Sequence, residues 1–375
     1  MTHQEFWHDL PPPAFAHVSL QDWNDWQWQQ AHRLRSANEL ARVVPLTADE
    51  IRACTEAAQL FPLALTPYYA SLIDVGDPND PIRRQAIPTM AELTLRRDEL
   101  EDPLAEDAHM PVPGLTHRYP DRALLYSTHN CPVYCRHCNR KRKVGDPETA
   151  APRAQLTACV EYVRQTPEIR DVLVSGGDPL TFSDERLDAL LTDLRSIPHL
   201  QIIRLATRNP VTLPYRITPN LVQVLHKHQP LYVNTHFNHI AECTPSAAKA
   251  LALLADTGCP LGNQMVLLKG INDDPHMVLR LNQWLLAHRC RPYYMFQCDS
   301  AQGLSHFRTP LATGLAILEA LRGWTSGLAV PHYVVDLPHG GGKVPLVPEY
   351  IVARDRDKVT FRNYRGDHFT YVEGA

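Results

Sequence analysis

Three cysteines, Cys131, Cys135 and Cys138, fall within eight residues of the chain. Thiolates so spaced can converge on one centre if the loop carrying them wraps it. Soft thiolate ligands select zinc, copper(I) or iron–sulfur clusters. A structural zinc takes four ligands, and His129 and His137 stand close enough in sequence to supply the fourth. A [4Fe–4S] cluster also takes four, so three thiolates leave one iron open. A second candidate is Lys343, which follows His339-Gly-Gly-Gly342. A phosphate loop needs glycine at 337 and serine or threonine at 344, where this chain has Leu337 and Val344. A lysine behind a glycine run can instead hold a carbonyl cofactor as a Schiff base.

Six short apolar, β-branched runs must position these groups: Ala123–Thr128, Asp171–Ser175, Gln201–Thr207, Leu231–His236, Pro260–Leu268 and Pro292–Cys298. Between them lie stretches of helical periodicity, such as Asp184–Ile197, Pro245–Thr257 and Met277–His288. Six such alternations predict an α/β fold with a parallel sheet, either doubly wound or a full or partial barrel. In each case functional groups gather at the C-terminal strand ends. Those ends carry Asn130 to Cys138, Ser175-Gly-Gly-Asp178, Arg208, His236, Asn263-Gln264 and Asp299. Residues 1–110 read as helix and loop, with a capping box at Thr47-Ala-Asp-Glu50. After residue 330 come a strand at His332–Asp336, the lysine loop, and a tail, Ile351–Val372, of short antiparallel strands. Three regions are expected: 1–110, 111–330 and 331–375.

The 375 residues are 44% hydrophobic and 21% charged, which excludes global disorder. A net charge of −4 gives no support to nucleic-acid or membrane-surface binding, whose footprint is basic. No apolar run reaches the ~18 residues needed to cross a bilayer. The opening MTHQEFWHDLPPP lacks the basic and apolar regions of a signal peptide, so a cytoplasmic location is expected. Nine cysteines, an odd number, argue against a disulfide scaffold. The six outside the triplet (Cys54, Cys159, Cys243, Cys259, Cys290 and Cys298) read as small buried hydrophobes.

The pattern C-x3-C-x2-C at a strand end, with Gly-Gly-Asp after the next strand, is the signature of radical S-adenosylmethionine enzymes. More closely, Cys131-Pro-Val-Tyr134-Cys135-Arg-His-Cys138-Asn-Arg140-Lys-Arg142 resembles the cluster motif of the lysine 2,3-aminomutase family. The likeness runs from about residue 20 to the end. It includes Trp23–Trp28, Pro67-Tyr-Tyr69, Gly114–Arg122, Asn234–His239, Gly262-Asn-Gln264, His306–Pro310 and Asp336–Lys343.

The resemblance implies a partial (β/α)6 barrel of the radical S-adenosylmethionine type, with an N-terminal helical region and a C-terminal β-containing segment. It implies an isomerase that moves the 2-amino group of L-lysine to C3, giving β-lysine. Cys131, Cys135 and Cys138 are then ligands of a [4Fe–4S] cluster. Gly176, Gly177, His236 and Gln264 contact S-adenosyl-L-methionine. Lys343 is the catalytic lysine that holds pyridoxal 5′-phosphate, with Arg118, Tyr119 and Arg122 around that cofactor. Arg140 takes the substrate carboxylate, as guanidinium can do with two parallel hydrogen bonds. Asp299 and Asp336 take the ε-ammonium, since two close carboxylates favour a cation between them. A flavodoxin or ferredoxin reductant and a homo-oligomer are the implied partners.

The chain departs from the family in two places. Known members carry a zinc site built from a Gly-x-Asn-Asp-Cys segment and a C-terminal extension. Here the segment is Gly270-Ile-Asn-Asp273-Asp274 and the sequence ends at Ala375, so no zinc is expected. His339 stands where the family has glycine. Three alternatives stay open: an arginine 2,3-aminomutase, a peptidyl-lysine mutase acting on elongation factor P, and a structural or electron-transfer metal module without mutase chemistry.

Overall fold

The protein is described by a computed structural model covering residues 6–57, 60–144 and 151–374. All six apolar runs form strands, and three more join them. In chain order these are β1 (Leu115–Tyr119), β2 (Arg122–Thr128), β3 (Asp171–Gly176), β4 (Ile202–Ala206), β5 (Leu231–Thr235), β6 (Leu261–Leu267), β7 (Cys290–Gln297), β8 (His332–Leu337) and β9 (Gly342–Pro345). They make one nine-stranded sheet in sequential order. From β2 to β8 every neighbour is parallel. β1 and β9 flank this set antiparallel.

Parallel neighbours need crossovers, normally helical. Helices at Arg153–Arg164, Asp184–Arg195, Pro219–Lys227, Pro245–Asp256, Pro275–Ala287 and Leu311–Leu321 supply them. The second buries Leu187, Leu190, Leu191 and Leu194, one apolar stripe at helical spacing. The strands beneath turn apolar side chains to these helices, and Val172, Val174, Ile203, Leu205 and Leu231 are fully buried, as expected for a sheet covered on its outer face by helices. Asp274 caps the helix that follows: its side chain accepts from Met277 N at 2.8 Å. Such a cap stabilises a helix by about 1 kcal/mol.

The sheet curls until its edges meet, forming an open barrel. Lys343 N on β9 donates to Tyr119 Oη on β1 at 3.1 Å, and Arg118 Nη2 on β1 lies 3.9 Å from Asp336 Oδ1 on β8. The curl encloses a cavity of about 610 Å³. β8 and β9 belong to this sheet, so the lysine loop is part of the barrel wall. The tail forms a separate antiparallel sheet of β10 (Ile351–Asp355), β11 (Lys358–Arg362) and β12 (His368–Val372).

The N-terminal region packs against the loops at the C-terminal strand ends. Thr47 and Glu50 form the expected capping box. Buried Tyr68 meets Tyr215 edge to face, and Thr66 Oγ1 donates to Thr212 O at 2.7 Å. Among the described residues no helix is long and apolar enough to cross a membrane.

Candidate active site

The cysteine triplet lies in the loop after β2, and the N-terminal layer holds that loop. Tyr134 N donates to Ala64 O at 2.8 Å and Arg136 N to Gln85 O at 2.9 Å. The Glu92 carboxylate accepts from Arg136 Nε and Nη2 at 2.8 and 2.6 Å and from Lys141 Nζ at 2.9 Å. All three side chains are buried. Burial opposes the Glu92 charge, but the Arg136 and Lys141 cations outweigh it and hold the carboxyl below its ordinary range.

Cys131, Cys135 and Cys138 line the cavity together. Burial, then the charges of Asp178, Cys138 and Cys135, drive the Cys131 thiol well up. Burial, with Cys135 beside it, raises Cys138 to about 11. Arg208 Nη1 donates to Cys135 Sγ at 2.7 Å. Three thiols on one cavity wall, with Cys131 and Cys138 held up by burial and neighbouring charge, suit a strongly cationic, thiophilic centre, because coordination deprotonates a thiol outright. Among the described residues no three metal-binding side chains converge tightly enough for one ion. His129 turns away, with Nδ1 on Lys143 O at 2.5 Å. His137 is buried beside His236, ring centroids 5.3 Å apart.

Gly176 and Gly177 end β3 against the loop that leads into the triplet. A Cβ on Gly176, whose φ is +110°, would lie 2.6 Å from Thr128 O, and one on Gly177 would lie 2.3 Å from Asn130 O. The two glycines expected at the cofactor also let the strand end pack its backbone against the cysteine loop. Asp178 accepts from Leu180 N, Thr207 Oγ1 and Arg208 N at 2.7 to 3.0 Å, which ties β3 to the loop after β4.

His236 and Gln264 line the same cavity. Burial, then the Arg208 charge, lowers the His236 pKa to about 3, so the ring is neutral, with Nε2 and Asn238 Oδ1 3.0 Å apart. At this end of the cavity His137 Nδ1, Asn234 Nδ2 and Thr235 Oγ1 are buried polar atoms without a protein partner. Buried polar atoms are ordinarily satisfied, so these three fit a polar ligand such as S-adenosylmethionine.

Across the cavity Lys343 Nζ contacts both oxygens of Asp336, at 2.9 and 3.0 Å. Arg118 Nη1 donates to Leu104 O at 2.8 Å, while its buried Nε has no partner. The Arg122 guanidinium lies 4.0 Å from the centre of the Tyr119 ring. Two guanidinium groups, a phenol and a lysine on facing strands fit an aromatic aldehyde that carries a phosphate. His339, in the turn before the lysine, has φ +59°, a left-handed conformation that glycine adopts at no cost.

Asn139 and Arg140, side by side in sequence, reach the two charged ends offered to a substrate. Arg140 reaches Glu106 Oε1 with Nε at 2.9 Å and Nη2 at 2.8 Å. Tyr126 Oη also donates to Glu106. Asn139 Nδ2 donates to Asp299 Oδ2 at 2.7 Å. Burial, then the neighbouring Asp336 charge, raises the Asp299 pKa to about 6. Sequence reading missed Glu92, Glu106 and Asn139. Glu92 and Glu106 carry no motif, whereas Asn139, between a cysteine ligand candidate and Arg140, stood inside one.

All eleven expected site residues other than the cysteines line this one cavity. A family model described as lysine-2,3-aminomutase matches residues 318–375. The chain is 51% identical to L-lysine 2,3-aminomutase of Clostridium subterminale, over 96% of this chain and 86% of that protein. It is 47% identical to L-lysine 2,3-aminomutase of Bacillus subtilis, over 98% and 77%. It is 44% identical to glutamate 2,3-aminomutase of Clostridioides difficile, over 92% and 82%. At this identity over nearly its whole length, the chain belongs to the lysine 2,3-aminomutase family.

Proposed function

We propose that the protein is an L-lysine 2,3-aminomutase, an isomerase that moves the 2-amino group of L-lysine to C3. The observation that carries this reading is the charge pattern of one cavity. Asp299 and Asp336 offer two carboxylates to a cationic side chain, and Arg140 offers a guanidinium to a carboxylate. A glutamate side chain would meet repulsion at the first pair.

In this reading Cys131, Cys135 and Cys138 hold a [4Fe–4S] cluster. Gly176, Gly177, His236 and Gln264 form the S-adenosylmethionine site, and Lys343, Arg118, Tyr119 and Arg122 hold pyridoxal phosphate. Bound together, these cofactors supply hydrogen abstraction and a carrier for the migrating nitrogen. The protein's own contribution is to bind, orient and shield. Arg140 is aimed by Glu106. Asp299 and Asp336 fix the far end of the substrate, so C2 and C3 are held between two anchored charges. Burial holds His236 and His137 uncharged beside the thiol end, and the N-terminal layer over the cysteine loop limits water.

The partners and setting follow the same reading. A flavodoxin- or ferredoxin-type protein supplies the electron. Exposed Phe369, Tyr371 and Val372 on β12 favour a homo-oligomer, since patches of this kind mark association surfaces. Free cysteines throughout the described chain suit a reducing, cytoplasmic compartment. The regions 1–110, 111–330 and 331–375 serve as roof, barrel and lysine-bearing closure.

The test is anaerobic reconstitution with iron, sulfide, S-adenosylmethionine, pyridoxal phosphate and a reductant. Lysine, arginine, glutamate and elongation factor P are assayed in parallel. β-Lysine that disappears in Cys135→Ala and Lys343→Ala is the expected result. Turnover of arginine, glutamate or the protein substrate without lysine overturns it.

A further inference from the structure

Five carboxylates line the cavity: Glu106, Asp171, Asp178, Asp299 and Asp336. Glu106 is paired with Arg140, Asp171 with Arg204 and Asp336 with Lys343, each with a contact of 2.9 Å or less. Asp178 is saturated by three neutral donor groups. Asp299 differs from all four. Among the described residues it has no ion pair, and its direct partner is the neutral amide of Asn139, on Oδ2 at 2.7 Å.

We propose that Asn139 is a specificity-determining positioning residue, one that fixes the Asp299 carboxylate for a cationic substrate side chain without neutralising it. The inference rests on the lysine reading above and deepens it. A carboxylate deep in a cavity needs a hydrogen-bond partner to stay oriented. A lysine or arginine in that role would cancel the charge the substrate is to meet. An amide donor orients one oxygen and leaves both the net charge and the second oxygen for the ligand. The other charged groups that act on Asp299 are Asp336 on β8, Lys343 on β9 and Arg140 on the cysteine loop. None of them forms an ion pair with it, so the neutral contact sets its orientation.

Position in the chain strengthens the assignment. Asn139 and Arg140 are adjacent, and their side chains diverge, one to Asp299 and one to Glu106. One dipeptide therefore governs both charged poles of the cavity. Position 139 is one at which a single change of side-chain charge would act directly on the ammonium end.

The experiment compares L-lysine with L-norleucine, which has the same carbon chain and no ε-ammonium. The KM of lysine and the inhibition constant of norleucine are measured on the reconstituted holoenzyme. Wild type, Asn139→Ala, Asn139→Ser and Asn139→Lys are used, each matched for iron content and pyridoxal absorbance. Asn139→Ala is expected to raise the lysine KM about tenfold and to shift norleucine less than about threefold. Asn139→Ser, which keeps a shorter donor, falls between, and Asn139→Lys loses lysine binding while still binding norleucine. Parallel weakening of both ligands, or an unchanged lysine KM in Asn139→Ala and Asn139→Lys, overturns the proposal. Wild type that does not act on lysine overturns the functional reading instead, so the two failures are distinct.

Discussion

Lys343 Nζ rests against both carboxylate oxygens of Asp336, at 2.9 and 3.0 Å, and the two residues face each other across the β8–β9 pair. The lysine expected to hold the cofactor thus occupies a carboxylate expected to hold the substrate. Without pyridoxal phosphate, the protein's own ammonium competes with that of the substrate.

The first prediction follows from this competition. Cofactor-free Lys343→Ala should bind L-lysine several-fold more tightly than cofactor-free wild type, read by isothermal titration calorimetry, because the variant removes the nearer cation on Asp336 and leaves it the Arg118 guanidinium at 3.9 Å. Equal or weaker binding would show that the ion pair does not occlude the site.

Asp299 gives the second prediction. Its pKa of about 6 lies above the ordinary 3.8, so the folded state holds its proton more firmly than the unfolded chain. The associated stability is full below 3.8 and is lost as pH rises through 6. Asp299→Asn should therefore raise the melting temperature of the ligand-free protein at pH 7.5, by on the order of 2 °C or more. The gain should vanish toward pH 4. Catalysis carries the opposite sign. The ionised form attracts the substrate ammonium, so kcat/KM for lysine should fall as pH drops below about 6, and Asp299→Asn should lack that limb.

Glu92 gives the third. Removing it strands Arg136 and Lys141 in the interior. Breaking a buried pair from one side costs about 3–5 kcal/mol. Glu92→Ala should show that loss in chemical denaturation, and it should load less iron after reconstitution because the cysteine loop loses its anchor. Full iron content in a destabilised variant would separate stability from loop placement.

Gly177 gives the fourth. An added Cβ would lie 2.3 to 2.9 Å from the backbone of His129 and Asn130, atoms that cannot swing aside as a side-chain tip can. Gly177→Ala should displace the loop and abolish the cluster absorbance. A variant with an intact cluster spectrum would show that the loop yields.

The strand order was readable because a buried parallel sheet requires continuous apolar runs, such as Asp171–Gly176 and Leu231–Thr235, and periodicity records that directly. The triplet and the lysine loop were readable because their chemistry restricts spacing. Glu92 and Glu106 were not, because an ion pair between segments 34 to 49 residues apart leaves no local pattern. The reason for Gly176 and Gly177 was hidden likewise. A glycine signals close approach, but only the fold identifies the approaching atoms as Thr128 O and Asn130 O. β8 was expected as a strand but β9 was read as loop, and the place of both in the barrel wall depended on the curl of the sheet.

Cys138, Asn139 and Arg140 are consecutive, with neighbouring Cα atoms 3.8 Å apart across each trans peptide. If the first carries the electron source and the other two set the poles of the substrate, all three ride on one short rigid rod. Any tilt of the loop then displaces the radical's origin and its target together. Thermal jitter becomes a common-mode error, and the distance that matters to hydrogen transfer is buffered against it by covalent geometry.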